Sequence, residues 1–510
     1  MALPLPVKQQ ETREASCALD IIVAGAGIGG LGAAVSCLLA GHNVHVLEAA
    51  PEIREVGAGI QILPNGSRIL KHWGMEERLS KHWQVSESFE INGYKGNKIS
   101  SLSLAESASQ YPGTWYRTFY RPHLQMPLLE RVRELGGKVS TNAKVMNVSV
   151  NPDNAGATVI TGTGEVLTCE LFIGADGIFG DIPDMLLDSP TPASKTGDLA
   201  YRVLLSTADL LKDPELAPFV TKPQVNFWLG PEKHVVTYNI GKDHFNVVLL
   251  VPDDIPESSS ANTVKGNVEE MCALFKDWDP RLGKLLALCK EVQKWRLCTR
   301  LNTRTWSHPS GAAVMIGDCV HATLPYMAVG AGLAIEDGAV LGECLARLPN
   351  NPRISKSSNS FLKAKRHALA VFEKCRIERV RIAIMRSHRQ RYLNHLPDGP
   401  EQEQRDRDMQ STPTPEGEAL VWRDPGTAPT LFGWNHILEV ESNWDLSPTT
   451  AETSGLVLSG ARLFWVYFVG AIGQYLRFLA SVVNRGGRPL PLAALERQVG
   501  VEGRKDKKRL

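Results

Sequence analysis

Residues 25–30 read GAGIGG, and Gly25, Gly27 and Gly30 fall in the G-x-G-x-x-G spacing. Such a set holds a pyrophosphate. The first glycine permits a tight turn, the second lets backbone approach the phosphates, and the third lets a helix pack closely on a strand. Glu48 ends the next apolar run, where a carboxylate can accept hydrogen bonds from ribose hydroxyls. Two later segments could serve the same long cofactor. Residues 171–180 read LFIGADGIFG, an apolar strand running into Asp176-Gly177. Residues 314–338 read VMIGDCVHATLPYMAVGAGLAIEDG: Gly317-Asp318 after a strand, Pro325 in a loop, then Gly330-Ala331-Gly332 opening a helix. An aspartate at a strand end is placed to bind a ribityl chain or to order a pyrophosphate. A glycine-rich helix N-terminus offers N–H groups to an electron-rich ring edge.

The elements that must position these groups follow from hydrophobic periodicity. A strand over 20–24, a helix over 31–40 and a strand over 43–48 make a βαβ start and predict a parallel sheet. The segments 143–150, 157–161 and 166–173, and later 224–229, 234–240 and 245–251, alternate or run apolar between turns. They predict antiparallel or mixed strands and a second, sheet-rich domain within about 186–294. Residues 361–395 carry helical spacing, and 397–418 is polar and Pro-bearing, which reads as a loop or linker. The fold class expected is α/β: a Rossmann-type dinucleotide domain with an interleaved sheet-rich substrate domain and C-terminal helices. The expected boundaries are a flexible 1–17, a cofactor domain over 18–185 containing a piece of the substrate domain near 86–114, the substrate domain over 186–294, completion of the cofactor domain over 295–350, a helical region over 351–445 and an extension over 446–510.

Composition narrows the partners. A formal net charge of +1 argues against a generally basic nucleic-acid binder. The nine cysteines include no C-x-x-C pair, so neither a disulfide framework nor a zinc site is suggested, and no metal is expected from the scattered histidines. The segment MALPLPVKQQETREAS turns polar at once, so no secretory signal is read and the catalytic part is expected to face the cytosol. The ten Lys and Arg between 363 and 391 face only Glu373 and Glu378, and they read as the solvated face of a long helix.

Taken together, these motifs resemble the group A FAD-dependent aromatic monooxygenases, the p-hydroxybenzoate and salicylate hydroxylase superfamily, and most closely its fungal salicylate hydroxylase-like members. The matching residues are GAGIGG with Glu48, Arg121-x-x-Leu124 in YRPHL, Asp176-Gly177, Gly317-Asp318, Leu199-Ala200-Tyr201-Arg202, Gly230-Pro231 with His234, and above all GDCVHATLPYMAVGAGLAIEDGAVLG. The resemblance covers roughly residues 18–445. It implies FAD held by Gly25, Gly27, Gly30, Glu48, Ala58, Arg121, Asp176, Asp318, Gly330 and Ala331, with NAD(P)H as transient co-substrate. No second G-x-G-x-x-G is present, as expected where NAD(P)H has no Rossmann domain of its own. It further implies reaction with O₂ through a C4a-hydroperoxyflavin and hydroxylation of a phenolic or salicylate-like substrate, in secondary-metabolite biosynthesis.

By the same resemblance Pro325 approaches the flavin edge and His321 stands behind it. Arg202 is the candidate cation beside a phenolate, its other reading being an exposed strand arginine. Tyr238 and His234, spaced i and i+4 on a strand, share a face and reach either a substrate ring or the core. The family commonly has Gln where this chain has Val329, which reads as core packing or as a lost amide near the flavin. Two alternatives stay open: a membrane-associated flavin epoxidase of a prenylated compound, and a flavin-binding protein without turnover. The run LFWVYFVGAIGQYL (463–476) meets Arg477, too short for a secure span. An amphipathic helix over 462–484 lying on the ER or another intracellular membrane, or packed on the catalytic domain, is expected there. The ending KKRL resembles a dilysine ER-retrieval signal.

Overall fold

The computed structural model describes residues 9–445 apart from 16, 54–57, 152–155, 188–191, 242, 260, 301–302, 304 and 418. The chain divides into two compact units, Met1–Asp445 and Leu446–Leu510. The second unit, with the helix expected over 462–484, lies outside the described residues. Among the described residues no helix is long and apolar enough to cross a membrane.

The first sheet is five-stranded and parallel. The strand Asp20–Ala24 lies between Asn43–Leu47 and Leu171–Gly174, with Lys138–Ser140 and Ala313–Met315 outside them. The central strands are apolar because both faces of a parallel sheet are covered. The helix Ile28–Leu39 buries eleven of its twelve residues, which explains its all-round apolar and small composition. It packs against the helix Gly330–Leu345 at very short range. A Cβ added at Gly338 would lie 2.7 Å from the Ala33 nitrogen, and one at Gly342 would lie 2.1 Å from Ser36 Oγ. Only glycine at these two positions lets the backbones approach so closely.

The second sheet has eight strands in the order Thr263–Lys265, Gln293–Thr299, Ser194–Ser206, His244–Pro252, Lys233–Asn239, Gln224–Gly230, Ser88–Gly93 and Lys98–Ser103. All neighbours are antiparallel except Gln224–Gly230 with Ser88–Gly93. The period of two sorts the long strand Ser194–Ser206 cleanly. Leu199, Tyr201, Val203 and Leu205 enter a core with Trp228, Phe245, Phe275 and Leu282. Ala200 and Arg202 face the opposite way and line a cavity.

Two stretches differ from their sequence reading. Within 397–418 the chain forms the helix Pro400–Gln410. It starts at Gly399 (φ 146°) with Pro400 in its first turn, carries Glu401 and Glu403 at its N-terminal end, and has Arg407 at the other. Two residues anchor this polar helix: Arg405 donates to the Leu393 carbonyl at 2.6 Å, and Met409 is buried with its carbonyl accepting from Ser100 Oγ at 2.7 Å. The basic segment lies on the helix Asn359–Asn394, but it is not simply a solvated face. Lys365 and Arg376 are buried, and Lys365 donates to the Glu170 carbonyl at 2.6 Å.

Candidate active site

One cavity of about 350 Å³ runs from the glycine loop to the inner face of the eight-stranded sheet. At one end the walls are backbone. Gly27 and Gly29, Ala58 and Gly59, Ala175 and Gly177, Gly317 and Asp318, Pro325, and Gly330 with Ala331 line it. Gly25 and Gly30 stand behind that wall, and packing requires them to be glycine. Gly25 has φ 110° with its Cβ direction 2.4 Å from the Ala175 carbonyl oxygen, and a Cβ at Gly30 would lie 2.0 Å from the Gly25 oxygen. At Gly27 an added Cβ meets nothing within 4 Å, so this turn opens onto space.

The N-termini of Ile28–Leu39 and Gly330–Leu345 reach this end with no side-chain cap and no acidic residue in the first turn. Their N–H groups and positive dipole ends are therefore available to an anionic or electron-rich ligand. Glu48 accepts from the Ala26 nitrogen through Oε2 and from the Ala50 nitrogen through Oε1, both at 2.8 Å. Each oxygen keeps a second lone pair for a hydroxyl donor. Asp318 is exposed on the cavity wall. Asp176 is turned back: its Oδ2 accepts from the Ile182 nitrogen at 2.9 Å, its carboxylate fills the space a Cβ at Gly180 would take, and burial raises its pKa. A cradle with an open Gly27, two uncapped helix ends and a half-free ribose acceptor fits a flavin dinucleotide.

A buried ionic cluster holds this end from behind. Arg376 donates to Glu336 at 2.5 Å, to Asp337 at 2.8 Å and to the Leu333 carbonyl at 3.0 Å. Arg379 adds two bonds of 2.7 Å to Glu336, and Asn65 a third of 2.7 Å. Asp337 also accepts from His321 at 2.5 Å and from the Gly317 nitrogen at 2.8 Å. Burial opposes the charge on both carboxylates, yet the two arginines and His321 hold their pKa values below the usual range. His321 thus ties the Gly317-Asp318 turn to the helix Gly330–Leu345. Val329 is fully buried in the main core and is absent from the cavity wall.

At the other end the walls are side chains. Arg121, Arg202, His234, Tyr238, Phe227 and Trp422 line the same cavity. His234, Val236 and Tyr238 alternate along Lys233–Asn239, while Val235 between them enters the core behind the sheet. Arg202 is half-buried and lies 4.7 Å over the Trp295 ring. Burial and the charge of Arg121 lower its pKa, and Tyr238 works the other way. Arg121 donates its backbone N–H to the Ala58 carbonyl at 3.1 Å, joining it to the cofactor end. Burial pushes Tyr238 up to about 12 against the pull of Gln61 and Arg202. Gln61 also accepts from Tyr116 Oη at 2.7 Å. Burial and His395 hold His234 well below the ordinary histidine range, so it is neutral.

All three residues expected to be catalytic and six of the ten expected at the cofactor line this one cavity; Gly30, Gly25 and Asp176 shape it from behind, while Glu48 adjoins the loop through Ala26. Sequence reasoning missed Trp422, Gln61 and His395. Trp422 packs 5.5 Å from Phe227 and 4.8 Å from Phe89, forming an aromatic wall, and the short apolar run Ala419-Leu420-Val421 before it does not signal which distant residues it meets. Gln125, one residue after Leu124, donates to the Ala26 carbonyl at 2.7 Å and braces the glycine loop.

Comparison with known proteins agrees with this geometry. The family described as FAD binding domain matches residues 18–352. The chain is 39% identical to the FAD-dependent monooxygenase OpS4 of Beauveria bassiana (strain ARSEF 2860), over 83% of this chain and 97% of that one. It is 30% identical to the 3-hydroxybenzoate 6-hydroxylase of Polaromonas naphthalenivorans (strain CJ2), over 82% and 96% of the two chains. Among solved structures, a salicylate hydroxylase substrate complex superposes with a TM-score of 0.66 at 20% identity, over 84% and 98%, which speaks for the fold. With the glycine cradle and the matched domain in one place, the chain belongs to the FAD-dependent monooxygenases of the p-hydroxybenzoate and salicylate hydroxylase superfamily.

Proposed function

We propose that the enzyme uses NAD(P)H and O₂ to hydroxylate a phenolic or salicylate-like aromatic compound. The observation that carries this reading is the meeting of two guanidinium groups, Arg121 and Arg202, with Tyr238 and a neutral His234 in one cavity with the flavin cradle. Among the described residues Arg202 has no carboxylate ion pair, so this half-buried cation is stabilised when an anionic substrate oxygen enters. FAD, when bound, supplies the activation of O₂ with electrons taken from NAD(P)H. The protein's own part is to seat the aromatic ring against Phe227 and Trp422, to place its oxygen near Arg202, and to accept its proton at His234. A phenolate is more electron-rich than a phenol, so removing that proton prepares the ring for attack. Two relatives are named for hydroxybenzoate chemistry, the 3-hydroxybenzoate 6-hydroxylase above and a 3-amino-4-hydroxybenzoate 2-monooxygenase, and this supports an aromatic substrate here.

The test is a screen of hydroxylated aromatic acids and aldehydes for stimulated NAD(P)H oxidation under air, with mass analysis of the product. A product one oxygen atom heavier is expected. Stimulation by alkenes alone would instead favour epoxidation. A role in secondary metabolism and an attachment to membranes through 462–484 belong to the same proposal and rest on sequence alone. Fractionation of full-length protein against a version ending at Thr453 checks the attachment.

A further inference from the structure

The cofactor wall and the substrate wall of the cavity belong to different parts of the fold, and one short loop touches both. Thr323, Leu324, Pro325, Tyr326 and Ala328 line the cavity, and the chain then enters the helix Gly330–Leu345, whose first residues stand on the cofactor wall. In the other direction Leu324 and Tyr326 pack with Ala200 and Leu250 of the eight-stranded sheet. The loop's own sequence does not dictate its shape. Pro325–Met327 makes a single helical turn, closed by the Ala328 nitrogen donating to the Pro325 carbonyl at 3.0 Å. Ala328 then takes φ 55°, a conformation that alanine keeps only where its surroundings impose it.

A buried carboxylate supplies such a contact. Asp198 lies two residues before Ala200 and four before Arg202, on the same face of the strand Ser194–Ser206, and it is 2% exposed. Gly197 at φ 81° and a shift of register against Gln293–Thr299, between Lys195 and Leu199, bring it there. It accepts from the Tyr326 hydroxyl, and Arg391 of the helix Asn359–Asn394 donates to it at 2.5 and 2.6 Å. Burial and the charge of Asp198 push the Tyr326 pKa up, so the hydroxyl stays a donor. The Tyr326 ring is also packed, with centroids 5.0 Å from His234 and 5.4 Å from His395. Substrate sheet, loop and long helix therefore meet at one carboxylate.

We infer that Asp198 is a positioning residue: through the Tyr326 hydroxyl it fixes the Pro325 turn, and so sets the spacing between a substrate held at Arg202 and the flavin. Asp198 and Arg202 share a strand, so the bond to Tyr326 makes the substrate wall and the loop one rigid piece. Transfer of an oxygen atom falls steeply when the partners are misplaced by a fraction of an ångström to an ångström. With the spacing kept, substrate, O₂, NAD(P)H and one proton give hydroxylated product, NAD(P)⁺ and water. With the spacing lost, O₂, NAD(P)H and one proton give NAD(P)⁺ and hydrogen peroxide, and the substrate leaves unchanged. The inference rests on the reading of the Arg202 end as the substrate end.

Tyr326→Phe removes only the hydroxyl and leaves Asp198 paired with Arg391, so the fold is kept. Asp198→Ala removes the acceptor. In FAD-loaded full-length protein, hydrogen exchange reads the loop directly: the peptide carrying the Ala328 amide should exchange about tenfold faster or more in both variants. The strand peptide over 199–205 should be unchanged, and the double variant should exchange no faster than Asp198→Ala, because both changes remove the same bond. Both variants should hold a full complement of FAD yet alter the visible circular dichroism of the bound flavin, a signature that a loss of global stability does not move. With 3-hydroxybenzoate, salicylate or 3,4-dihydroxybenzaldehyde, product formed per NAD(P)H consumed should fall about threefold or more, with hydrogen peroxide rising to match. Wild-type exchange at Ala328 in Tyr326→Phe would overturn the inference. Faster exchange with wild-type dichroism and wild-type product yield would also overturn it, by leaving the bond a tie without effect on the flavin. A wild-type enzyme stimulated by none of the three compounds removes the phenolic reading, while exchange and dichroism still decide the role of Asp198.

Discussion

The two ends of the cavity are built from different materials. The cofactor end is backbone: glycines at positive φ, helix N-termini without caps, and a carboxylate already held by two main-chain N–H groups. The substrate end is side chains projecting from alternate positions of one sheet: Arg202, His234, Tyr238 and Phe227, with Trp422 and Arg121 brought in from elsewhere. A backbone cradle tolerates almost no substitution and binds one ligand type. A side-chain wall can be rewritten without disturbing the sheet behind it, since the alternate residues own the core. One fold can therefore keep its cofactor while changing its substrate.

The sharpest way to break this contrast is Gly30→Ala. Its Cβ would fall 2.0 Å from the Gly25 oxygen, a backbone atom that cannot yield, so the purified protein should lack flavin absorbance altogether. Normal FAD content would mean that the cradle is not backbone-limited. Next in size is Arg376→Met, which leaves Glu336 and Asp337 buried with one partner cation fewer. Breaking a buried pair costs about 3–5 kcal/mol. A fall of that size in denaturant-derived stability, with flavin release in the same transition, is expected.

Acid separates the two ends by another route. His395 has a native pKa of about 4 against an ordinary 6.5, so the unfolded chain binds the extra proton between these values. Its contribution is present above pH 6.5 and is lost as pH falls toward 4, roughly 3 kcal/mol for a shift of this size. His42, behind the cofactor sheet, has the same sign and also reaches about 4. The melting temperature of the wild type should decline across this window. His395→Phe should flatten the slope by the substrate end's share, and an unchanged slope would show that His395 is free to charge in the native state.

Asp318→Ala and Arg202→Ala sharpen the comparison directly. Loss of a charged hydrogen bond costs about 1.5–3 kcal/mol, or about ten- to hundredfold. For Asp318 the loss should appear in FAD affinity. For Arg202 flavin content should be normal and the loss should appear in kcat/KM with a phenolic substrate. Swapped phenotypes would mean that the ends are misassigned. The smallest effect is expected from Trp422→Leu. Removing one aromatic contact is worth about 0.5–1.5 kcal/mol, so KM should rise by about tenfold or less while kcat and flavin content hold.

Legibility in the sequence follows the same division. The cofactor end could be read because its residues are close together in the chain and each type is forced: a turn at φ 110° demands glycine whatever surrounds it. Strand alternation placed His234 and Tyr238 on one face, and the structure has both on the cavity wall. Position-by-position reading failed where long-range packing decides. Arg376 and Lys365 look like solvated helix charges until Glu336, Asp337 and the Glu170 carbonyl are brought to them. The helix Pro400–Gln410 has almost no apolar residues of its own, and Arg405 and Met409 anchor it to distant chain segments.

What the sequence determined by itself was therefore the cofactor and the fold class, since local backbone geometry and apolar period require only neighbours along the chain. What only the tertiary structure decided was which side chains share the cavity and which charges are buried. Trp422 beside Phe227, and His395 within 2.7 Å of His234, are contacts across long loops of chain. No local period encodes them, because they exist only once the sheet and the long helix have packed.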